Sequence, residues 1–145
     1  MRALVQRVSR AAVHADGDRL GSIDAGLCVF VGVTHADGAA EARKLAERVW
    51  NLRVMDDDNG VMNRSVADTT RQVLVVSQFT LYADTSRGRR PSWIAAAPPE
   101  HAEPLVQTVV DELRRLGADV ATGRFRAEMA VELVNDGPVT IWLEV

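Results

Sequence analysis

The sequence predicts one α+β domain, residues 1–145, in which mostly antiparallel β-sheets form a barrel-like core covered by two main helices. Strand-like apolar segments recur along the whole chain, and only two stretches change to a helical spacing of their apolar residues. No internal repeat or linker-like composition divides the chain. A domain of this length buries roughly 70% of the surface that its unfolded chain exposes.

The first part of the chain predicts three strands. Residues 3–15 are rich in alternating and β-branched positions, and the Asp-Gly-Asp at 16–18 turns the chain into a hairpin partner at 19–23. Residues 26–34 form a continuous apolar run, which is expected of a strand buried on both faces.

A helix is predicted next, followed by a third buried strand. The apolar residues of the helix recur at helical spacing: Ala42, Leu45, Ala46, Val49 and Leu52. An Asn-Gly turn signal lies in residues 56–60, and a buried strand is predicted over 71–83. A second helix is expected from about His101 to Leu116, because a glycine that suits a helix end follows at 117.

The last two strand-like runs, 131–134 and 139–145, are expected to meet at a hairpin corner, since Asp-Gly between apolar runs favours a hairpin. Pro138 lacks an N–H and restricts the residue before it, while Gly137 permits close backbone approach to a ligand. The Asp-Gly-Pro tip, residues 136–138, is therefore open to two interpretations. It is a stiff corner, or a tip that recognises a ligand by excluding bulk. The strand edge beside it suggests pairing with a second copy of the chain.

The composition excludes several classes of function. No apolar run approaches the roughly 18 residues that cross a bilayer, and no signal-peptide block precedes the first strand, so a cytoplasmic protein without a membrane partner is expected. The formal net charge of −3 restricts any nucleic-acid contact to a local patch. Cys28, the only cysteine, is expected to be a buried core side chain.

The sequence lacks the common catalytic signatures of serine hydrolases, zinc enzymes, P-loop proteins and dinucleotide-binding proteins. The histidines, His14, His35 and His101, lie far apart and outside any recognisable motif. We therefore expect no metal and no cofactor. A Ser-His-Asp triad stays open, because triads assemble in space.

Polar residues follow the strongly apolar strand at 77–80, Ser-Gln-Phe-Thr. Backbone N–H groups that a rigid sheet aims from a strand end are suitable donors to an oxyanion, and the hydroxyl of Ser77 or Thr80 is placed to orient a nucleophile. The alternative is that both hydroxyls only satisfy strand-end backbone groups. The residues alone leave both interpretations open.

Residues 77–93, SQFTLYADTSRGRRPSW, and residues 133–140, LVNDGPVT, resemble the two signature motifs of the D-aminoacyl-tRNA deacylases. The resemblance extends over the whole chain. It implies hydrolysis of the ester that links a D-amino acid, or mischarged glycine, to the 3′-terminal adenosine of tRNA. It further implies a homodimer with active sites at the interface, in which a cis Gly-Pro peptide enters the partner's site and leaves no room for an L side chain.

The resemblance assigns catalytic roles to Ser77, Gln78, Phe79 and Thr80. Backbone N–H groups around Gln78 and Phe79 are expected to form an oxyanion hole. Thr80 resembles a residue once proposed as a nucleophile, although the family's mechanism is better described as assisted by the ribose 2′-hydroxyl.

The resemblance assigns substrate-binding roles to five more residues. Gly137 and Pro138 match the chiral filter, and Arg7 matches the residue that buttresses it. Phe125 and Met129 match positions that line the adenosine pocket.

Four arginines lie in or near the segments that resemble the family. Arg126 departs from the family pattern, since many relatives carry a small residue there. The arginine cluster, Arg87, Arg89 and Arg90, is typical of a solvated loop on charge alone, and becomes a candidate contact to acceptor-end phosphates under the resemblance.

Two rival functions remain. A small-molecule ester hydrolase of the same fold would act on free amino-acid esters as well as on charged tRNA. A non-catalytic tRNA-binding module would bind tRNA in a salt-sensitive way without turning over the ester.

Overall fold

A computed structural model describes residues 1–86 and 88–145 of the chain. Within these ranges the elements follow in the order β1 Arg2–Ala15, β2 Asp18–Ile23, β3 Gly26–Gly32, α1 Ala39–Trp50, β4 Met55–Asp56, β5 Met62–Arg64, β6 Gln72–Ser77, α2 Pro99–Leu116, β7 Val120–Thr122 and β8 Ala130–Glu144. Two short 3-10 helices cover Val66–Asp68 and Phe79–Tyr82. No helix of the described ranges combines the length and the apolar character needed to cross a bilayer.

The long strand β1 is the centre of the main sheet. One of its edges pairs antiparallel with β3 and β2, and the other pairs antiparallel with β8. The sheet continues from β3 through β6 to β7 in parallel pairings, and each of these two crossovers contains a helix, as parallel connections usually require. β2 also approaches β7, so the sheet curls into a nearly closed barrel. The predicted α+β fold class is confirmed.

The main core lies between the sheet and the two helices, which pack against each other. The residues predicted to form the inner face of α1, apart from Leu52 beyond its end, are fully buried. β3 is buried along nearly its whole length, as its continuous apolar pattern predicts. Cys28 on that strand is inaccessible, and burial raises the pKa of its thiol to about 12, so it is the expected core side chain.

Two predicted boundaries differ from the structure. The strand predicted over 71–83 ends at Ser77, because the chain turns there into the 3-10 helix Phe79–Tyr82. Helix α2 begins at Pro99, before the predicted start at His101. Proline suits the first turn of a helix, where its missing N–H has no intrahelical partner anyway.

The prediction of a C-terminal hairpin is wrong. β8 runs without reversal from Ala130 to Glu144, and both of its arms pair with β1. Asn135 pairs with Val8 and Thr140 pairs with Gln6, so four residues of β8 lie opposite Arg7 alone. The Asp-Gly-Pro tip is thus part of a wide bulge, an insertion that interrupts a ladder without ending the strand.

The side chain of Asn135 closes the base of this bulge. Its Nδ2 donates to the carbonyl oxygens of Arg7 and Val139, each at 2.9 Å. These bonds replace ladder partners that the bulge removes, because a backbone carbonyl in a partly buried sheet needs a donor. The 14 residues of β1 are enough to pair with both arms, so one strand edge holds the whole C-terminal segment.

Candidate active site

A cavity of about 560 Å³ opens beside the carboxyl ends of the parallel strands β3 and β6. We call it the β3–β6 cavity. Its walls come from the two strand ends, the loop before α2, the first turns of α2 and the segment before β8: Val31, Val33, Val76, Ser77, Gln78, Phe79, Trp93, Ala96, Ala97, Pro99, Ala102, Val106, Phe125, Arg126, Ala127, Met129 and Val131. A largely apolar cavity with a few polar groups is typical of a small-molecule site.

The backbone at the end of β6 leaves two N–H groups without acceptors among the described residues. Ser77 pairs with Val31 in the parallel ladder, and the N–H of Gln78 donates to the Val31 carbonyl at 2.7 Å. The first hydrogen bond of the following 3-10 helix runs from Leu81 N–H to the Gln78 carbonyl at 3.3 Å. Helix geometry therefore leaves the N–H groups of Phe79 and Thr80 free, and the described residues supply no acceptor to either.

This arrangement differs in detail from the oxyanion hole that the family resemblance implies. The N–H of Gln78 is already used within the sheet, whereas that of Phe79 is available. The N–H of Thr80 was not expected from the sequence. Its availability depends on the 3-10 turn, which the apolar pattern of residues 71–83 did not reveal.

Among the described residues, the hydroxyl groups of Ser77 and Thr80 have no hydrogen bond to a side chain that could act as a general base. Thr80 Oγ1 accepts a hydrogen bond from Gln78 Nε2, and Thr80 is not one of the described residues that line the β3–β6 cavity. Ser77 lines the cavity, yet among the described residues its hydroxyl has no hydrogen-bond partner. The described lining residues include no Asp, Glu, His or Cys, and Arg126 is their only charged side chain.

His35, His101 and Tyr82 do not line the β3–β6 cavity. His35 Nε2 lies 2.8 Å from the carbonyl oxygen of Ile94, and His101 Nε2 lies 2.9 Å from that of Asp37. Tyr82 ends the 3-10 helix, and its burial raises the pKa of its hydroxyl to about 12. In the described part of the chain no cluster of three metal-ligating side chains occurs. Because the described residues that line the cavity include no His or Asp, they assemble no Ser-His-Asp arrangement around Ser77.

The segment between β7 and β8 forms the opposite wall, and it contains Phe125 and Met129. Met129 packs against Gly123 so closely that a Cβ on that glycine would lie 2.6 Å from the methionine sulfur. Arg126 is exposed and has φ +62°, in the left-handed region. A non-glycine residue in the left-handed region costs roughly 1–2 kcal/mol, so Arg126 holds a strained backbone at the cavity wall.

The Asp-Gly-Pro tip is held by a buried guanidinium. The side chain of Arg7 is only 9% exposed, and its Nε lies 3.2 Å from the Asp136 carbonyl oxygen and 3.3 Å from Asp136 Oδ2. Its Nη1 donates to the Val54 carbonyl at 2.8 Å and to Asp56 Oδ1 at 3.1 Å. Arg7 thus ties the tip to the segment that leads into β4.

Gly137 fits its position only without a side chain. Its φ is +123°, and an added Cβ would lie 2.8 Å from Val139 Cγ2 and 3.1 Å from Arg7 Nη2. The peptide bond between Gly137 and Pro138 is cis, and both residues are exposed. The tip therefore presents backbone to its surroundings.

A single chain does not join the two groups of predicted site residues. In the described part of the chain, neither Gly137 nor Pro138 lines the β3–β6 cavity. The structure assembles one group at the cavity and a second at the tip. The cavity group is Ser77, Gln78, Phe79, Phe125 and Met129, and the tip group is Arg7, Gly137 and Pro138.

Arg89 and Arg90 of the arginine cluster lie in a loop whose base is closed by a pair of backbone hydrogen bonds. Asp84 and Ser92 exchange two backbone hydrogen bonds of 2.9 Å each. Arg89 and Arg90 are exposed, and Arg87 lies outside the described residues.

Trp93 was missed as a site residue by the sequence analysis. It lines the cavity and meets Phe79 edge to face, with ring centroids 5.3 Å apart and an interplanar angle of 70°. Its place at the end of the signature segment, three residues after Arg90, was the available signal.

Comparison with known proteins relates the chain as a whole to one family. The family described as D-Tyr-tRNA(Tyr) deacylase matches residues 4–144. A D-aminoacyl-tRNA deacylase of Mycolicibacterium smegmatis is 59% identical, with full coverage of both chains. One of Heliobacterium modesticaldum is 55% identical over 99% of this chain and 96% of its own length.

Two solved structures share the fold. A c-Myc DNA unwinding element binding protein superposes with a TM-score of 0.94 at 38% identity, covering 100% of this chain and 99% of its own. A probable eukaryotic D-amino acid tRNA deacylase superposes with a TM-score of 0.85 at 12% identity, covering 99% and 98%. The latter likeness concerns the fold alone.

Proposed function

This chain belongs to the D-Tyr-tRNA(Tyr) deacylase family, a family of hydrolases, and from that membership we propose that it hydrolyses the ester bond of D-aminoacyl-tRNA. The products are a free D-amino acid and tRNA, and glycine mischarged on tRNA is a second substrate. The aminoacyl-tRNA substrate implies that the reaction takes place in the cytoplasm. The observation that carries the proposal is a pair of N–H groups, with no acceptor among the described residues, beside a cavity whose described lining includes no Asp, Glu, His or Cys to act as a general base.

The N–H groups of Phe79 and Thr80 are the proposed donors to the oxyanion. As water adds to the ester carbonyl, negative charge develops on the carbonyl oxygen, and donors that are already oriented stabilise it without reorganisation. Loss of one such donor costs on the order of 10²–10³ in rate in a well-studied protease. The rigid β6 strand and the Gln78–Val31 bond hold these groups in place.

The substrate supplies the group that assists proton transfer, because the described residues of the cavity wall include no Asp, Glu, His or Cys. In this proposal the 2′-hydroxyl of the terminal ribose assists the attacking water. The bond between the carbonyl carbon and the ribose 3′-oxygen then breaks, and the water proton ends on that oxygen. Phe125 and Met129 pack against the adenosine and so place the ester beside Phe79.

We further propose that the chain is a homodimer in which the tip of each copy completes the partner's cavity. The exposed tip is absent from the cavity of its own chain, as judged from the described residues. Within the same ranges β8 pairs only with β1, so its outer edge is available to another chain. The carbonyl groups beside Gly137 and Pro138 then leave no room for an L side chain, whereas D-amino acids and glycine fit.

Arg89 and Arg90 are the proposed contacts to the phosphates of the acceptor end. Both are exposed on the loop that leads to Trp93 at the cavity. Arginine suits phosphate because its planar group donates two hydrogen bonds at once.

The first prediction concerns stereochemistry. The protein should deacylate D-tyrosyl-tRNA and leave L-tyrosyl-tRNA intact, measured as the release of labelled tyrosine under matched conditions. Equal rates on both would exclude a chiral function.

The same assay separates the two rival functions. Hydrolysis of free D-tyrosine esters at the rate of D-tyrosyl-tRNA would favour the small-ester hydrolase. Salt-sensitive tRNA binding without turnover would favour the binding module.

The second prediction concerns Thr80. Thr80→Ala should retain at least about a tenth of the wild-type kcat, because its backbone N–H remains and the loss of one neutral hydrogen bond costs only about 0.5–1.5 kcal/mol. Single-turnover rates on D-tyrosyl-tRNA measure this, with Thr80→Ser as the matched variant that keeps the hydroxyl. Complete loss in the alanine variant with full activity in the serine variant would identify the hydroxyl as nucleophile.

The third prediction concerns the support of the tip. Arg7→Ala should reduce the ratio of D- to L-tyrosyl-tRNA hydrolysis about tenfold or more, equivalent to ~1.4 kcal/mol of discrimination. The physical reason is that the tip loses the guanidinium that fixes Asp136. Arg10→Ala, an exposed position on the same strand, is the control. An unchanged ratio in a folded Arg7→Ala protein would exclude a role for the tip in selection.

The fourth prediction concerns assembly. Static light scattering at micromolar concentration should give twice the chain mass of 15.8 kDa. A monomeric mass in a preparation that is active on D-tyrosyl-tRNA would contradict the shared site without contradicting the reaction.

A further inference from the structure

An exposed aromatic surface lies at the mouth of the β3–β6 cavity. Phe79 is 56% exposed and Trp93 is 41% exposed, although both line the cavity. Because the two rings meet edge to face, the contact between them leaves ring surface uncovered. Adjoining exposed apolar side chains beside a cavity are typical of a surface that binds a ligand or a partner.

The backbone that carries Trp93 is fixed to the end of β3. Thr34 Oγ1 donates to the Ala95 carbonyl at 2.6 Å, and the N–H of Ala97 donates to the Val33 carbonyl at 2.9 Å. His35 Nε2 adds a contact of 2.8 Å with the carbonyl of Ile94. The indole therefore lies on a segment that these hydrogen bonds already order. This lowers the entropic cost of ordering the segment when a ligand binds.

Three arginines of the described residues belong to the segments that form or lead to the cavity. Arg89 and Arg90 are exposed on the closed loop that leads to Trp93, and Arg126 lines the opposite wall of the cavity. The chain as a whole carries a net charge of −3, so these cations are a local exception. Aromatic faces beside cations are the combination with which proteins hold single-stranded nucleic acid.

We propose that Trp93 is a stacking platform for the unpaired base that precedes the terminal adenosine of the acceptor end. This inference rests on the proposed function, which puts that adenosine in the β3–β6 cavity. The base stacks on the indole just outside the cavity, while Arg89 and Arg90 neutralise the adjoining phosphates. Stacking requires no specific hydrogen bond, so the platform accepts every tRNA regardless of its amino acid.

The test compares two substrates that differ in this base. D-tyrosyl-tRNA contains it, whereas 3′-O-D-tyrosyl-adenosine ends at the nucleoside in the cavity. Trp93→Ala should lower the ratio of kcat/KM for the tRNA to kcat/KM for the nucleoside ester by roughly 5- to 150-fold, the range expected for one stacked base. Trp93→Phe should preserve most of the ratio, because it keeps an aromatic face.

Ile94→Ala provides the matched control, because Ile94 is the next residue and is 85% exposed without lining the cavity. Its ratio should equal that of the wild type. An equal loss on both substrates in Trp93→Ala would show that the indole only shapes the cavity, and would overturn the platform. An unchanged ratio would overturn it as well.

A binding measurement separates this inference from the proposed reaction. The trinucleotide CpCpA should quench the tryptophan fluorescence of the wild-type protein, and Trp93→Phe should remove that quenching. Quenching with no deacylation would contradict the proposed function while supporting the platform. Deacylation together with quenching that persists in Trp93→Phe would support the proposed function and contradict the platform. A change of molar mass in Trp93→Ala would identify the aromatic surface as a contact between copies, against the proposal.

Discussion

The C-terminal half of the sheet depends on one buried cation. The Arg7 guanidinium donates to the Val54 carbonyl, to the Asp56 carboxylate and to the Asp136 carbonyl, so three distant parts of the chain meet at one side chain. One arginine can bind several acceptors because its guanidinium carries five N–H donors in a fixed geometry. A buried charge is tolerated only when hydrogen-bond acceptors surround it in this way. The bulge opposite Arg7 is therefore filled by the guanidinium of β1, and β8 passes the interruption without losing its pairing on either side.

The chemistry of the cavity depends on where a strand stops. Because β3 and β6 are parallel, their carboxyl ends meet at the same edge of the sheet, and the chain leaves that edge as a 3-10 helix. The change of conformation removes two N–H groups from the ladder, and the part of the chain that the structure describes gives them no new acceptor. The resulting site contains oriented N–H donors and an apolar wall. Such a site suits a reaction in which a hydroxyl group of the substrate, and not a protein side chain, assists the proton transfer.

The local elements could be predicted because their patterns are local. The helical spacing of Ala42, Leu45 and Val49 and the apolar run around Cys28 each determine one element and its buried face. The C-terminal hairpin was wrong because the alternation on either side of Gly137 is the same whether the two arms pair with each other or with β1. That choice depends on the distant Arg7 and on the length of β1. Trp93 was missed because its approach to Phe79 is likewise a tertiary contact.

The 3-10 turn after Ser77 has a consequence for how the protein tolerates sequence change. If the reacting oxygen is held by main-chain N–H groups of Phe79 and Thr80, most amino acids at those two positions supply the same donors. Side-chain replacement there is then a poor way to inactivate the enzyme, and proline is the exception because it removes the N–H itself. The information that specifies the chemistry is spread instead over the residues that shape the path of the backbone, such as the strand ends and the apolar wall behind them. A family signature at Phe79 and Thr80 would then record the side-chain contacts with Trp93 and Gln78 that shape the backbone, and not the reacting N–H groups themselves.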